Sequence, residues 1–261
     1  MRLLALDTAT SAISVAVHDG ERVLASRSVV DARRHTELLA PLVVETLAAA
    51  GTGVDEVTHV AVGTGPGPFT GLRVGLVTAQ TFAHARGVTV HGVCSLDALA
   101  AAAAANGYEG ELLVASDARR KEVYWARYRC AAGEVTPLDE PTVTRPADLP
   151  EDVRALPTVG RGPLLYPDVL AHPLDRPGGE ADAALLDVDA GVLAALAARR
   201  IASGAQMPVE PLYLRRPDAV APASTAPKSA LKPSPRQQQR DLRQGDRRQA
   251  EQAGRGAEAS Q

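Results

Sequence analysis

The stretch RLLALDTATSAISVAVHDG, residues 2–20, decides how the fold is interpreted. An apolar run ends at Asp7, a second run, SVAVH, follows it, and Asp19-Gly20 leads into a third run, RVLASRSV. An Asp-Gly pair between alternating runs is a strong signal for a tight β-hairpin. The sequence therefore predicts an antiparallel meander of three strands at the start of the chain.

The next segments predict two helices that alternate with two further strands. Helical spacing over 36–50 ends at Gly51, and helical spacing over 70–86 ends at Gly87. The apolar runs VTHVAVG and VTVHGV follow these helices in order as strands. The order βββαβαβ gives a mixed sheet with right-handed crossovers, which is the layout of a ribonuclease H-like half.

The second half of the sequence repeats features of the first. In ELLVASDARRKEVYWARY an apolar strand again ends at an aspartate, so that the segment 117–123 matches 7–13. Helices over 147–156 and 190–203 and a strand at LPTVG are predicted downstream. A degenerate duplication of this kind predicts an α/β protein of the actin-like ATPase (ASKHA) architecture, with two ribonuclease H-like halves whose mixed sheets are flanked by helices.

This interpretation divides the chain into three parts. The first half-domain is expected at 1–105 and carries the partner-binding helices, and the degenerate second half is expected at 106–218. The remainder, 219–261, is expected to be a disordered basic tail because it contains no aromatic residue and is rich in Gln, Arg, Pro, Ser and Gly. From Lys228 onward it holds eight basic and four acidic residues, within a chain whose net charge is −3.

Composition limits the class of protein. Of the 261 residues 45% are hydrophobic and only 3% are aromatic, so that the core must consist mainly of Ala, Val and Leu. No run reaches the length of about 18 apolar residues that a membrane helix needs. We therefore expect a cytoplasmic protein without a membrane partner. The two cysteines, Cys94 and Cys130, lack metal or redox spacing and are expected to be buried thiols.

Four residues after the first strand are candidates for weak nucleotide contact, namely Asp7, Thr8, Thr10 and Ser11. Active phosphotransferases of this architecture usually have glycine in this turn, since backbone amides must approach the phosphates. Here the turn is TATS, so that only hydroxyl groups and the Asp7 carboxylate are available to contact a nucleotide. The alternative is a capped turn in which Asp7 accepts hydrogen bonds from nearby amides.

The stretch GTGPGPFTGLRVG, residues 63–75, raises the question of what its backbone approaches. It is not a Walker loop, because no Lys followed by Ser or Thr comes after its glycines. Its prolines stiffen the entrance to a helix, whose free amides at 69–72 could hold an anion. A role in directing that helix toward another protein is the alternative.

The two helices of the first half carry more apolar and small-residue surface than one sheet requires. Small residues recur every four positions from Gly71 to Ala83, which is a pattern that permits close approach of another helix. The first helix has leucines and valines over more than one stripe of its circumference. The residues predicted to contact a partner are Leu38, Leu42, Gly71, Leu72, Gly75, Leu76, Ala79 and Ala83. The alternative is that both helices pack only within the monomer.

Other site types find little support in the sequence. The six histidines show no zinc-binding spacing, and Cys94-Ser95 lacks a nucleophile motif. The segment DARRKEVYWARY mixes basic residues, including Arg119 and Arg120, with aromatic ones. It could support RNA stacking, or form a half-buried hairpin with a solvated face.

Several segments together closely resemble the bacterial TsaB family. They are LLALDTATSAISVAV, RRHTELLAPLV, AVGTGPGPFTGLRVGLVTAQTFA, GVCSLDALA, DARRKEVYWARY and PLYLRRPD, and the resemblance covers residues 1–218. The paralogous TsaD family binds a metal through two histidines, and Ser95 and Leu99 stand at those positions here. Because serine is a poor ligand and leucine is none, the resemblance implies a chain without a metal or catalytic residues.

The resemblance also implies a function and partners. TsaB-like proteins serve as scaffolds that pair with TsaD through their first two helices, for threonylcarbamoylation of the adenosine beside the anticodon in tRNAs that read codons starting with A. The ATPase TsaE joins the assembly, tRNA is bound through the complex, and a homodimer is expected when the chain is alone. No tightly bound cofactor is expected, with ATP or ADP as the candidate ligand at the subunit boundary. The rival hypothesis is a weak ATPase or small-molecule kinase that uses Asp7 and Asp117.

Overall fold

Two β-sheets organise the part of the chain that the structure, a computed structural model, describes, residues 1–174 and 185–215. Both sheets belong to one unit, Met1–Arg216. The expected disordered tail, 219–261, lies outside the described residues. No helix in the described ranges is long and apolar enough to cross a membrane. The cytoplasmic location remains a prediction.

The first sheet confirms the predicted meander and crossovers. Its strands are β1 (Leu3–Asp7), β2 (Ala12–His18), β3 (Val23–Val30), β4 (His59–Gly63) and β5 (Thr89–Val93), in the spatial order β3-β2-β1-β4-β5. Strands β1, β2 and β3 pair antiparallel, whereas β4 and β5 continue the sheet in parallel. In the β2–β3 turn, Asp19 Oδ1 accepts hydrogen bonds from the amides of Glu21 and Arg22, which explains the early hairpin signal.

Two long helices cover one face of this sheet. They are α1 (His35–Ala49) and α2 (Phe69–Arg86). Their buried side chains form one apolar cluster with the valines and leucines of β1, β2 and β4. Helix α2 ends at Gly87, whose φ of 66° lies in the left-handed region that glycine adopts without strain.

The second sheet repeats the arrangement around its own first strand. Its strands are β6 (Gly110–Asp117), β7 (Val123–Ala131), β8 (Glu134–Pro137), β9 (Thr142–Thr144) and β10 (Thr158–Val159). The order is β10-β6-β7-β8, with β9 also on β7. Strand β6 pairs antiparallel with β7 and parallel with β10, just as β1 pairs with β2 and β4. Asp7 and Asp117 are therefore equivalent, since each ends the first strand of its sheet.

The predicted helix over 147–156 is confirmed only for one short stretch. The segment forms a single 3-10 turn at Pro146–Asp148 and a short helix α4 at Glu151–Arg154, with Leu149 extended between them. Pro150 follows Leu149, and a residue before proline is driven out of the helical region by the proline ring. The predicted strand at LPTVG is reduced to the two residues of β10.

Two helices in the middle of the molecule are exchanged between the halves. Helix α3 (Ser95–Ala105) belongs to the first half in sequence but packs on β6, β7 and β8. Helix α6 (Ala190–Ala202), which follows the short helix α5 (Gly162–Leu165), packs on β1, β2 and β3 of the first sheet. The two also contact each other and build a second apolar cluster that joins both sheets. The proposed division at residue 105 remains a prediction about the sequence, and this packing runs across it.

Candidate functional site

Asp7 lies at the carboxyl end of β1, where the sequence predicts contact with a nucleotide. Its side chain is 1% exposed. Ser95 Oγ donates to Asp7 Oδ2 at 2.6 Å, and the Ala9 amide donates to Asp7 Oδ1 at 2.8 Å. Burial raises the pKa of Asp7 to about 6, although both hydrogen bonds act in the opposite direction. These contacts match the capped turn that was the alternative.

The glycine-rich loop that precedes α2 closes over this carboxylate. A Cβ on Gly63 would lie 1.7 Å from Asp7 Oδ2, and one on Gly67 would lie 2.4 Å from the carbonyl oxygen of Ala9. The Gly65 amide donates to Ser95 Oγ at 3.2 Å. The glycines are therefore needed because the loop approaches the chain's own β1–β2 turn.

Thr8 connects the β1–β2 turn directly to α2. Its hydroxyl donates to the carbonyl oxygen of Gly71 at 2.7 Å and accepts from the amide of Gly75 at 3.0 Å. These are two backbone groups four residues apart, which pair with each other in a regular helix. A Cβ on Gly71 would lie 2.7 Å from the Thr8 carbonyl oxygen, so that close approach to this turn explains the small residues.

The row of small residues therefore faces the interior of the chain. Of the residues predicted to contact a partner, Leu42, Gly71, Leu72, Gly75, Leu76, Ala79 and Ala83 are buried, and Leu38 is half-buried. The partner interface itself stays a prediction. The small residues alone do not indicate that a helix of another protein packs here, because close contact with the turn at Thr8 already explains Gly71 and Gly75.

Other side chains of α1 and α2 point outward. Val44 on α1 is 65% exposed, and Val77 on α2 is 59% exposed. Leu38, Val74 and Phe82 are partly exposed beside the buried cluster. We call these five residues the outer apolar side chains of α1 and α2.

Thr10 and Ser11 lie where the two halves meet. The Ser11 amide donates to Asp187 Oδ1 at 3.1 Å, and Arg161 forms an ion pair with the same carboxylate. The cavity that Thr10 and Ser11 share with Asp117 has a volume of about 10 Å³. That volume accommodates about one water molecule, whereas small-molecule pockets are commonly about 300–1,000 Å³. Nucleotide contact at these residues remains a prediction. The cavity beside Ser11 gives it little room, whereas Thr8 and Thr10 also line a larger cavity of about 250 Å³ next to the first turn of α2.

The residues at the expected metal position do not fit a metal ion. Ser95 is fully buried and engaged with Asp7, and Leu99 lies in the apolar cluster around α3. Neither side chain supplies the imidazole or carboxylate donors that a divalent metal prefers. Within the described ranges no group of three or more His, Cys, Asp or Glu residues is arranged to hold a metal.

The β6–β7 hairpin has a backbone that the sequence did not predict. Arg119, Arg120 and Lys121 have φ values of 60°, 54° and 62°. This left-handed region is unfavourable for residues with a Cβ, and no glycine marks the position. Arg119 pairs with Asp117 at 2.9 Å and borders a cavity of about 250 Å³ beside the first turn of α2.

A strap formed by residues 207–215 crosses the edge of the first sheet. The Gly92 amide donates to the carbonyl oxygen of Met207 at 3.0 Å, and the Leu212 amide donates to that of Thr64 at 2.9 Å. A Cβ on Gly92 would lie 2.0 Å from the carbonyl oxygen of Pro208, so that glycine allows the close passage. The strap brings Tyr213 to the start of α2, a contact between residues far apart in sequence that no local pattern reveals.

Comparison with known proteins finds a matching protein family and several related sequences. The family of TsaD, tRNA N6-adenosine threonylcarbamoyltransferase, matches residues 26–155. A Mycobacterium leprae protein of uncharacterised function is 41% identical over 221 residues, which are 83% of this chain and 55% of the relative. The chain thus spans about half the length of that relative.

Two further comparisons cover almost the whole of the matching protein. The tRNA threonylcarbamoyladenosine biosynthesis protein TsaB of Escherichia coli is 34% identical over 228 residues, which are 82% of this chain and 95% of that protein. The solved structure of YeaZ from Pseudomonas aeruginosa has a TM-score of 0.68 and 33% identity, and the match covers 82% of this chain and 99% of that one. Since identity and coverage agree across these proteins, the chain belongs to the TsaB family.

Proposed function

We propose that this chain acts in tRNA threonylcarbamoyladenosine biosynthesis as a non-catalytic subunit that binds and stabilises a TsaD-type catalytic subunit. The name of the Escherichia coli relative, tRNA threonylcarbamoyladenosine biosynthesis protein TsaB, supports the process. The match to the TsaD family supports pairing with a protein of the same architecture. The reaction that the pair serves is transfer of threonylcarbamoyl to the adenosine beside the anticodon in tRNAs reading codons that begin with A.

The observation that carries the pairing is the outer apolar side chains of α1 and α2. Val44 and Val77 are the most exposed large apolar residues of the two helices, at 65% and 59%. Removing apolar surface from water contributes about 25 cal/mol per Å² to the free energy of association. A partner that covers this face would therefore be stabilised on it. The same face would serve a homodimer when the partner is absent.

The geometry around Asp7 supports the absence of catalysis by this chain. A group that performs general acid–base chemistry must reach the substrate within hydrogen-bond distance. Asp7 is enclosed by Ser95, Ala9 and the glycine-rich loop. We accordingly place the reacting groups on the catalytic partner, with the ATPase TsaE and tRNA joining through the complex and ATP or ADP at the subunit boundary.

The test replaces Val44 and Val77 together with lysine. The double variant should lose co-elution with the TsaD-type subunit of the same organism in size-exclusion chromatography with light scattering, because two charges would be buried on pairing. Its melting temperature should stay close to that of the parent, since both side chains are exposed. Val54→Lys is the matched control, because Val54 is 49% exposed and lies outside both helices.

Two results would contradict the proposal. If the double variant still pairs like the parent, these helices do not form the interface. If the purified chain alone hydrolyses ATP at about 1 s⁻¹ or faster, a rate at the lower end for ordinary enzymes, the kinase or ATPase hypothesis takes precedence.

A further inference from the structure

Two aromatic rings and an arginine are stacked on the surface at the start of α2. The Arg73 Cζ atom lies 3.6 Å from the centroid of the Phe69 ring, and the two ring centroids of Phe69 and Tyr213 are 5.2 Å apart. Arg73 Nε also donates to the Tyr213 hydroxyl at 2.8 Å. Phe69 is nevertheless 39% exposed and Tyr213 is 42% exposed. The rings are thus held in place while part of their surface faces solvent.

Two further arginines border the cavity beside Phe69. The cavity has a volume of about 250 Å³, and Arg33 and Arg119 both line it together with Phe69. Arg119 is held by its ion pair with Asp117 and by the left-handed turn of the hairpin. A left-handed non-glycine residue persists only when its surroundings impose it, and here the result is a guanidinium group beside the cavity.

The strap and the hairpin are fastened to each other. Arg215, two residues after Tyr213, donates through Nη1 to the carbonyl oxygen of Ala118 at 3.0 Å and pairs with Glu122. Tyr213 is therefore fixed both to α2 and, through Arg215, to the hairpin that carries Arg119. The rings and the arginines form one surface, which we call the arginine–aromatic surface and define as Arg33, Phe69, Arg73, Arg119 and Tyr213.

The charge of this surface is opposite to that of the chain as a whole. The chain has a net charge of −3. Arg33 and Arg73 have no ion-pair partner among residues 1–174 and 185–215, whereas many of the other arginines in these ranges are paired with a carboxylate. Two positive charges are therefore left without a carboxylate beside two exposed rings.

We propose that the arginine–aromatic surface binds a strand of RNA, with the arginines on phosphates and a base stacked on Phe69 or Tyr213. Stacking rings beside unpaired basic side chains is the combination by which proteins hold single-stranded nucleic acid. A protein partner with an acidic segment would satisfy the arginines but has no need of two ordered rings. The inference rests on the proposed function, since a chain that acts on tRNA with its partners meets unpaired RNA in loops and ends.

The test measures binding of the full-length chain, assembled with the TsaD-type subunit of the same organism, to an unmodified transcript of a tRNA that reads a codon beginning with A. Fluorescence anisotropy at two or more salt concentrations gives both affinity and its salt dependence. Tyr213→Ala should weaken binding by about fivefold or more, the lower range for loss of one stacked base. Arg33→Gln should make the negative slope of log affinity against log salt shallower by about 0.7–0.9, because one phosphate contact is lost.

Matched controls separate this surface from general effects. Arg22→Gln removes an equal charge from the β2–β3 turn, and Leu164→Ala removes an exposed apolar side chain from α5. Both should bind the transcript like the parent. Arg33 is exposed in a turn, so that its variant should remain folded even if Tyr213→Ala loosens the strap.

Several outcomes would overturn the inference. The first is a tRNA affinity and a salt slope that stay unchanged in both Tyr213→Ala and Arg33→Gln. This would hold also if deletion of 228–261 removed binding, because the tail would then be the binding site. The second is loss of ATP binding with tRNA binding intact, which would assign the surface to a free nucleotide. The third is loss of pairing with the TsaD-type subunit at unchanged tRNA affinity. Pairing that is retained while tRNA affinity falls supports the inference and leaves the proposed function intact.

Discussion

The carboxyl group of Asp7 is a buried acid whose surroundings are more favourable to its protonated form than water is. Burial raises its pKa from the ordinary 3.8 to about 6. The folded protein therefore holds this proton more tightly than the unfolded chain does. The contribution to stability is fully present below pH 3.8 and is lost as the pH rises through about 6.

Asp7→Asn removes this titration, which allows a measurement of its effect. We compare the free energy of unfolding of the parent with that of the variant. The parent's value minus the variant's should fall by about 2–3 kcal/mol between about pH 4 and about pH 7.5, because each pKa unit corresponds to 1.36 kcal/mol. Urea unfolding of both proteins at the two pH values gives the difference. Asp117→Asn, at the equivalent position of β6 but partly exposed, controls for loss of a strand-end carboxylate. A difference independent of pH would mean that Asp7 stays ionised.

At the scale of elements, the seating of α2 on the β1–β2 turn decides what its small residues do. A Cβ on Gly75 would lie 2.5 Å from Thr8 Oγ1, so that Gly75→Ala must displace the hydroxyl that joins Gly71 and Gly75. We expect a loss of about 1–3 kcal/mol in stability, as for overpacked positions, although alanine favours a helix by about 1 kcal/mol over glycine. Thermal unfolding measures the change.

The exposed position Thr81 on the same helix provides the control. Thr81→Ala should leave the melting temperature unchanged or raise it slightly, because the side chain is exposed and alanine is the better helix former. If Gly75→Ala kept the parent's stability but did not bind the TsaD-type subunit, the small residues from Gly71 to Ala83 would belong to the partner interface after all.

The elements differ in how far the sequence alone predicts them. The strands around Asp19-Gly20 and the helices ended by Gly51 and Gly87 follow from local chemistry, and they are confirmed. Helix α3 was missed because its second half is a run of alanines without periodicity, whose burial depends on a sheet far away in sequence. The repeat of glycine and alanine in α2 is visible in the sequence, but the side of the helix that faces the sheet is not.

At the scale of the whole molecule, the exchange of α3 and α6 makes each sheet depend on a helix from the other half. We therefore expect one cooperative unfolding transition for the described unit. Trp125 is the only tryptophan and lies on β7, so that its fluorescence reports the second sheet while far-UV circular dichroism reports both. The two urea midpoints should coincide.

The control for this experiment is the isolated fragment 1–105, which lacks α6 and should show no cooperative transition. Separate midpoints for the two signals, or a stably folded fragment, would contradict the dependence of each sheet on a helix from the other half.

The duplication itself was predictable because both halves have an apolar strand ending in an aspartate. The exchange was not, since neither α3 nor α6 carries a sequence signal for the sheet that it covers.

The exchange also bears on how the chain folds during synthesis. Roughly 85 residues separate the end of α3 from the start of α6, and ribosomes add about 5–20 residues each second. For about 4–17 s the nascent first sheet has α1 and α2 on one side and bare strands on the other, so that a chaperone at the tunnel exit would meet this face before α6 arrives.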